Sequence, residues 1–155
     1  MTSAGEAERP RAPSGYHIRA RTRASGLAEA LAGNEVIPFD ASWGGPDSGL
    51  PGPAELLASA FAACMLKNLA RTGTLLHFRY TSAEVEVVVQ RQDAPPKFTR
   101  ITYQVRLVTD EPAQRIDLIH RNLRQFGTVY NTLAAGCDID GRVVAVPPGG
   151  LSSLP

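Results

Sequence analysis

The chain is poor in the residues that mark several functional classes. Its 155 residues include two cysteines, three histidines and one tryptophan. Two cysteines are too few for a disulfide scaffold, so we expect a reducing, cytoplasmic location. Sixteen Lys and Arg against fifteen Asp and Glu give a net charge of +1, which predicts no binding to nucleic acid or to an anionic membrane. No apolar run approaches the ~20 residues of a membrane span, and the N-terminal residues lack the apolar segment of a secretory signal.

Common cofactor and metal motifs are absent as well. The cysteines and histidines have none of the spacings typical of metal ligands, so we expect no metal site. The glycine-rich phosphate and dinucleotide loops and the G-x-S-x-G elbow are missing, and we expect no cofactor. His120 falls on the apolar stripe of a predicted helix, where a hydrogen-bonded core histidine is the expected role.

The composition and the hydrophobic pattern predict one folded α+β domain. Hydrophobic residues make up 43% of the chain and charged residues 20%, which is enough for a packed core. We expect the domain to span residues 15–146, between flexible tails at 1–14 and 147–155. Alternating patterns predict strands at 16–23, 27–31, 36–39, 77–92, 97–110 and 137–146, and 3.6-residue periodicity predicts helices at 54–72, 113–126 and 129–135.

Two segments stand out as candidates for function. Residues 56–66 read LLASAFAACML and are apolar or small on every side, which predicts a buried central helix with Cys64 inside it. A free cysteine there is either a small core hydrophobe or a reactive thiol. The loop at 40–53 contains four glycines and three prolines, and its Trp43 is either a cap over a pocket or a packing residue.

The run GPAELLASAFAAC, from Gly52 to Cys64, resembles the OsmC/Ohr family of osmotically inducible and organic hydroperoxide resistance proteins. The order of elements over about 15–146 is similar as well. The resemblance implies antiparallel sheets around the buried helix and a swapped, intertwined homodimer with two sites at the subunit interface. It also implies that Cys64 attacks an organic hydroperoxide, that a second cysteine resolves the sulfenic acid as a disulfide, and that a dithiol reduces that disulfide.

Three positions depart from the peroxidase pattern. The family's glutamate position is Ala54, while Glu55 lies on the helix face opposite Cys64, roughly 13 Å along the axis. Glu55 therefore either acts across a dimer interface or only stabilises the helix N-terminus. Gly127 stands where the resolving cysteine would be, which leaves Cys137 as a relocated resolving thiol or a structural residue. The thiolate-stabilising arginine of the family has no aligned counterpart, and of Arg21 and Arg23 we choose Arg23 because it lies nearer the first turn; its alternative role is that of an exposed strand residue.

The sequence leaves three functions open. The first is a thiol-dependent peroxidase for small apolar hydroperoxides, with Cys64 as nucleophile and a small thiol or dithiol as reductant. The second is a ligand-binding or redox-sensing protein without efficient turnover. Its apolar pocket would be lined by Leu56, Phe61 and Met65, with Trp43 above them. The third is a purely structural homodimer, in which Cys64 is unreactive.

Overall fold

The computed structural model describes residues 15–151, in which six strands and three helices follow one another in the predicted order. The expected tail at 1–14 lies outside this range. The elements are β1 (Arg19–Thr22), β2 (Leu27–Ala32), β3 (Glu35–Asp40), α1 (Pro53–Leu76), β4 (Ser82–Asp93), β5 (Pro96–Val108), α2 (Ala113–Phe126), α3 (Thr128–Ala134) and β6 (Asp138–Val146).

The largest boundary error concerns the end of α1, which continues to Leu76, while β4 begins only at Ser82. His77 follows the helix with a φ of 50°, and the N–H of Phe78 donates to the carbonyl of Gly73 at 3.0 Å. This left-handed residue with a backbone bond reaching back five positions is the Schellman ending of a helix. A histidine in place of the usual glycine hides that signal, which explains why the sequence predicts a strand from residue 77.

The chain divides into two compact units, one ending at Pro53 and the other beginning at Ala54. The first unit contains an antiparallel sheet in the order β1-β2-β3. Its first turn needs Gly26, because φ there is 85° and an added Cβ would lie 2.4 Å from the Cβ of Ser42. Ala28 is the only buried residue in the described part of this unit, and several large apolar side chains of the sheet are exposed, namely Leu27, Leu31, Val36 and Ile37.

The second unit contains a sheet in the order β4-β5-β6. β4 and β5 form the predicted antiparallel hairpin, with a register shift between Gln90 and Arg91. β6 lies parallel to β5, so the expectation of antiparallel sheets is wrong at this strand. The reason is the connection, because α2 and α3 lie between the two strands and return the chain to the end from which β5 started.

Helix α1 buries one face against the core of the second unit. Its fully or nearly fully buried residues follow helical spacing and are Phe61, Met65, Asn68, Leu69 and Thr72. They join inward-facing residues of β5 and α2, namely Ile101, Tyr103, Val105, Leu107, Ile116, Ile119 and Leu123. The sequence predicts burial on every side of residues 56–66, whereas the single chain leaves Leu57 and Leu66 exposed, as it does Leu75 further along the helix. No helix among residues 15–151 is long and apolar enough to cross a membrane.

Tyr103 of β5 packs directly over Gly141 of β6, its partner in the parallel register. A Cβ added at Gly141 would lie 2.5 Å from the ring and from the carbonyl oxygen of Tyr103. The absence of a side chain at Gly141 therefore allows the aromatic ring to lie flat on the neighbouring strand.

We predict that Gly141→Ala lowers the free energy of unfolding by about 1–3 kcal/mol, because the added methyl group overpacks the sheet against Tyr103. Urea unfolding followed by circular dichroism measures the change. Gly136→Ala is the matched control, since its added Cβ would meet only the carbonyl oxygen of Leu133 at 3.9 Å. Equal stability of the Gly141→Ala and Gly136→Ala variants would contradict this account.

Candidate thiol site

Cys64 lies in the middle of α1, half-buried, at the edge of the helix's buried stripe. The residue opposite its sulfur is Gly127, at the junction between α2 and α3. A Cβ built on Gly127 would lie 3.3 Å from Sγ of Cys64, 2.9 Å from Cβ of Tyr130 and 3.1 Å from the carbonyl oxygen of Leu123. The backbone of this junction therefore touches the thiol, and a side chain at position 127 would crowd it.

Asn68 joins α1 to the end of α2, one helical turn after Cys64. Its Nδ2 donates to the carbonyl oxygens of Asn122 and Leu123 at 3.1 and 3.3 Å. Leu123 is one of the last four residues of α2, whose carbonyls have no partner within the helix, and Asn122 directly precedes it. Asn68 satisfies the Leu123 carbonyl from a buried position, so it holds the α2–α3 junction against α1. The sequence analysis missed Asn68, although its four-residue spacing from Cys64 places it on the same side of the helix.

An aromatic cluster packs beside the junction. The ring centroids of Phe61 and Tyr130 are 5.8 Å apart, and those of Phe61 and Tyr103 are 5.7 Å apart. The hydroxyl of Tyr103 is 2.6 Å from Nε2 of His120. Burial lowers the pKa of His120, helped by the charge of Arg124, and burial raises the pKa of Tyr103. Both groups are therefore neutral near pH 7, and His120 is hydrogen-bonded as expected.

Cys137 is a free thiol with local partners of its own. Its sulfur and its backbone N–H both contact the carbonyl oxygen of Leu133, at 3.3 and 3.1 Å. Burial raises the pKa of Cys137, and the nearby charge of Asp138 adds to that effect. A thiol engaged in this way and held in its protonated form is a poor nucleophile. These contacts fit the structural role for Cys137 better than the resolving role.

Glu55 is exposed in the first turn of α1, which is an uninterrupted helix from there to Cys64. Nine residues correspond to 2.5 turns, so the two side chains leave opposite sides of the helix, as predicted from their spacing. In the first unit, Arg21 pairs with Glu29. Arg19 and Arg23 have no ion pair within residues 15–151, so Arg23 is one of two unpaired arginines in this strand and turn.

The residues expected to line a pocket differ widely in their exposure. Phe61 and Met65 are fully buried in the core, because they lie on the helix stripe that faces β5 and α2. Leu56 is half-buried, and the side chain of Trp43 is completely exposed. Phe61 and Met65 therefore belong to the core and do not face an open pocket. No cluster of potential metal ligands occurs in the part of the chain that the structure describes.

Comparison with known proteins identifies the family. The sequence profile described as OsmC-like protein matches residues 45–141, which is more than half of the chain. The chain belongs to the OsmC-like protein family. This range contains Cys64, Gly127 and Cys137, so the whole thiol region falls inside the family match. None of the curated proteins compared matches the chain.

Solved structures confirm the OsmC-like α+β fold. An OsmC-like protein from Mycoplasma pneumoniae superposes with a TM-score of 0.78 at 19% identity, covering 86% of this chain and 98% of that one. An organic hydroperoxide resistance protein OsmC from Legionella pneumophila gives 0.68 at 14% identity, covering 86% and 100%. The organic hydroperoxide resistance protein OhrB of Bacillus subtilis gives 0.63 at 14% identity, covering 84% and 98%.

We predict that alkylation of Cys137 by iodoacetamide requires a higher pH than alkylation of an ordinary thiol, whose pKa is about 8.5. The thiolate is the reactive form, and burial together with Asp138 raises the pKa of Cys137. In the Cys64→Ser variant, the rate is followed against pH by mass spectrometry. The same variant in denaturant supplies the reference, and a folded-state midpoint at or below that reference would contradict the prediction.

Proposed function

We propose that this OsmC-like protein is a thiol-dependent peroxidase for organic hydroperoxides, with Cys64 as the nucleophile. The Cys64 thiolate attacks the distal oxygen of the hydroperoxide, so that an S–O bond forms, the O–O bond breaks and an alkoxide leaves, which takes a proton from water to become the alcohol. Cys64 is thereby oxidised to sulfenic acid. The supporting observation is the position of Cys64, half-buried with its sulfur against the α2–α3 junction, where Tyr130 of the aromatic cluster packs on Gly127. An apolar approach to the thiol favours organic substrates over hydrogen peroxide.

An external thiol completes the proposed cycle. It attacks the sulfenic acid, releases water and forms a mixed disulfide with Cys64. A second thiol group, from the same dithiol or from another molecule, then releases Cys64 and leaves as the oxidised disulfide. Two observations support an external source. Gly127 offers no thiol at the position that touches Cys64, and Cys137 is engaged with Leu133. Free thiols of this kind fit a reducing compartment, and we propose the cytoplasm.

The proposed thiolate needs a nearby cation to stabilise its charge. Arg23 is the candidate for this role because it lies next to the first turn, and the absence of an ion pair for Arg23 within the described residues leaves its charge available. Participation of Glu55 across a subunit interface also stays a prediction. The roles of Arg23 and Glu55 both depend on how two subunits assemble.

We propose a homodimer, with an exposed face of α1 in its interface. The residues of this face are small or apolar and are exposed in the single chain, namely Ser59, Ala63, Leu66 and Ala70. The three-stranded sheet of the first unit has one buried residue in its described part. Further apolar surface must therefore pack against this sheet for it to be stable. Both features are explained by a second copy of the chain.

Sedimentation velocity tests the homodimer. We expect the wild-type protein to sediment as a dimer and Leu66→Glu to shift it toward monomer, because a charge is costly to bury in an apolar interface. Leu75→Glu makes the same change on the opposite flank of α1 and should leave the dimer intact. A wild-type monomer at micromolar concentration would contradict the proposal.

The activity is tested by consumption of cumene hydroperoxide in the presence of dithiothreitol. We predict that Cys64→Ser abolishes turnover above the background, while Cys137→Ser retains at least half of the wild-type rate. Thermal melting checks that both variants are folded. Turnover retained in Cys64→Ser would contradict the peroxidase, and no turnover in wild type would favour the ligand-binding or sensing alternative.

A further inference from the structure

A second feature lies on the same flank of α1 as the thiol. Leu57, Cys64 and Arg71 follow one another at intervals of seven residues. Seven residues make almost two turns, so the three side chains form a nearly straight row, with steps of about 10.5 Å. The row runs from an apolar side chain, through the thiol, to a positive charge. Leu57 and Arg71 are both exposed.

Arg71 is held in place by an aromatic ring. Its guanidinium carbon lies 5.0 Å from the centroid of Phe126, and that ring is 48% exposed. Phe126 directly precedes Gly127, which touches the thiol. A cation–π contact of this kind orients the guanidinium while its in-plane N–H groups stay free for a planar anion. Stacking on Phe126 therefore prepares Arg71 to bind a carboxylate.

The charge around this row is positive. Arg71 and Lys67 have no ion pair within residues 15–151. Lys67 is exposed, one helical turn from Cys64. The only acidic residue of α1 is Glu55, which leaves the helix on the opposite side. An anion that approaches Cys64 along α1 thus meets two uncommitted cations and no acidic residue of the helix on that side.

We propose that Arg71 is a specificity-determining residue that directs carboxylate-bearing organic hydroperoxides to Cys64. The carboxylate binds the guanidinium, the apolar chain covers the exposed ring of Phe126, and the peroxide group reaches Sγ of Cys64 about 10 Å away along the helix. The chemical step is the one given above, in which an alcohol forms and Cys64 becomes a sulfenic acid. This inference rests on the proposed function.

A pair of substrates that differ only in charge tests the proposal. The 9-hydroperoxide of linoleic acid and its methyl ester are each mixed with reduced Cys137→Ser protein, and the loss of the Cys64 thiol is followed in a single turnover. We expect the acid to react about tenfold faster than the ester. Arg71→Gln should remove most of that advantage by slowing the acid, with the ester rate unchanged within about twofold. Added salt should slow only the acid.

Two further variants separate charge from structure. Arg71→Lys keeps the charge without the planar fork and should restore part of the acid rate. Arg91→Gln removes one positive charge on β4 and should leave the ratio of acid to ester unchanged. The same ratio in Arg71→Gln as in wild type would overturn the role of Arg71 while leaving the peroxidase intact. No oxidation of Cys64 by either substrate would overturn the peroxidase itself, and this inference with it.

Discussion

The contact between Cys64 and the backbone at Gly127 is the constraint on which the thiol site depends. The sulfur lies 3.3 Å from the position of a Cβ on Gly127, so α1 and the α2–α3 junction approach each other as closely as a glycine allows. Asn68 holds that approach from inside the core through two hydrogen bonds to the end of α2. Loss of these bonds would leave the buried amide of Asn68 and the carbonyl of Leu123 unsatisfied, at a cost of about 1–3 kcal/mol each.

The contact between Cys64 and Gly127 connects the packing of the core with the chemistry of the thiol. Tyr130, Phe61 and Tyr103 form the apolar support of the junction, and His120 is neutral within it. The thiol is therefore placed by packing, and its backbone neighbour at position 127 is a residue without a side chain. This arrangement suits a site in which one cysteine is oxidised and an outside thiol restores it. Cys137 fits that account, because its sulfur already has a partner in Leu133.

Much of this architecture is readable from the sequence. Alternation and helical periodicity predict all nine elements in order, and α2 is predicted to the residue. The end of α1 is mispredicted because His77 adopts a conformation that usually requires glycine. The parallel pairing of β6 is missed because hairpin patterns carry no information on a crossover.

At the site, Cys64 and the special status of Gly127 follow from the family motif. Asn68 and the pairing of Arg71 with Phe126 depend on contacts between distant segments, which periodicity alone does not reveal.

The central claim is that Cys64 is oxidised alone, without a partner thiol in its own chain. The most direct measurement is the intact mass of reduced protein after one equivalent of cumene hydroperoxide. We predict a gain of one oxygen that disappears in Cys64→Ser. Gly127→Cys is the positive control, because a thiol at the position that touches Cys64 should turn the gain into a loss of two hydrogens. A loss of two hydrogens in the wild-type protein would contradict the account and make Cys137 the resolving thiol.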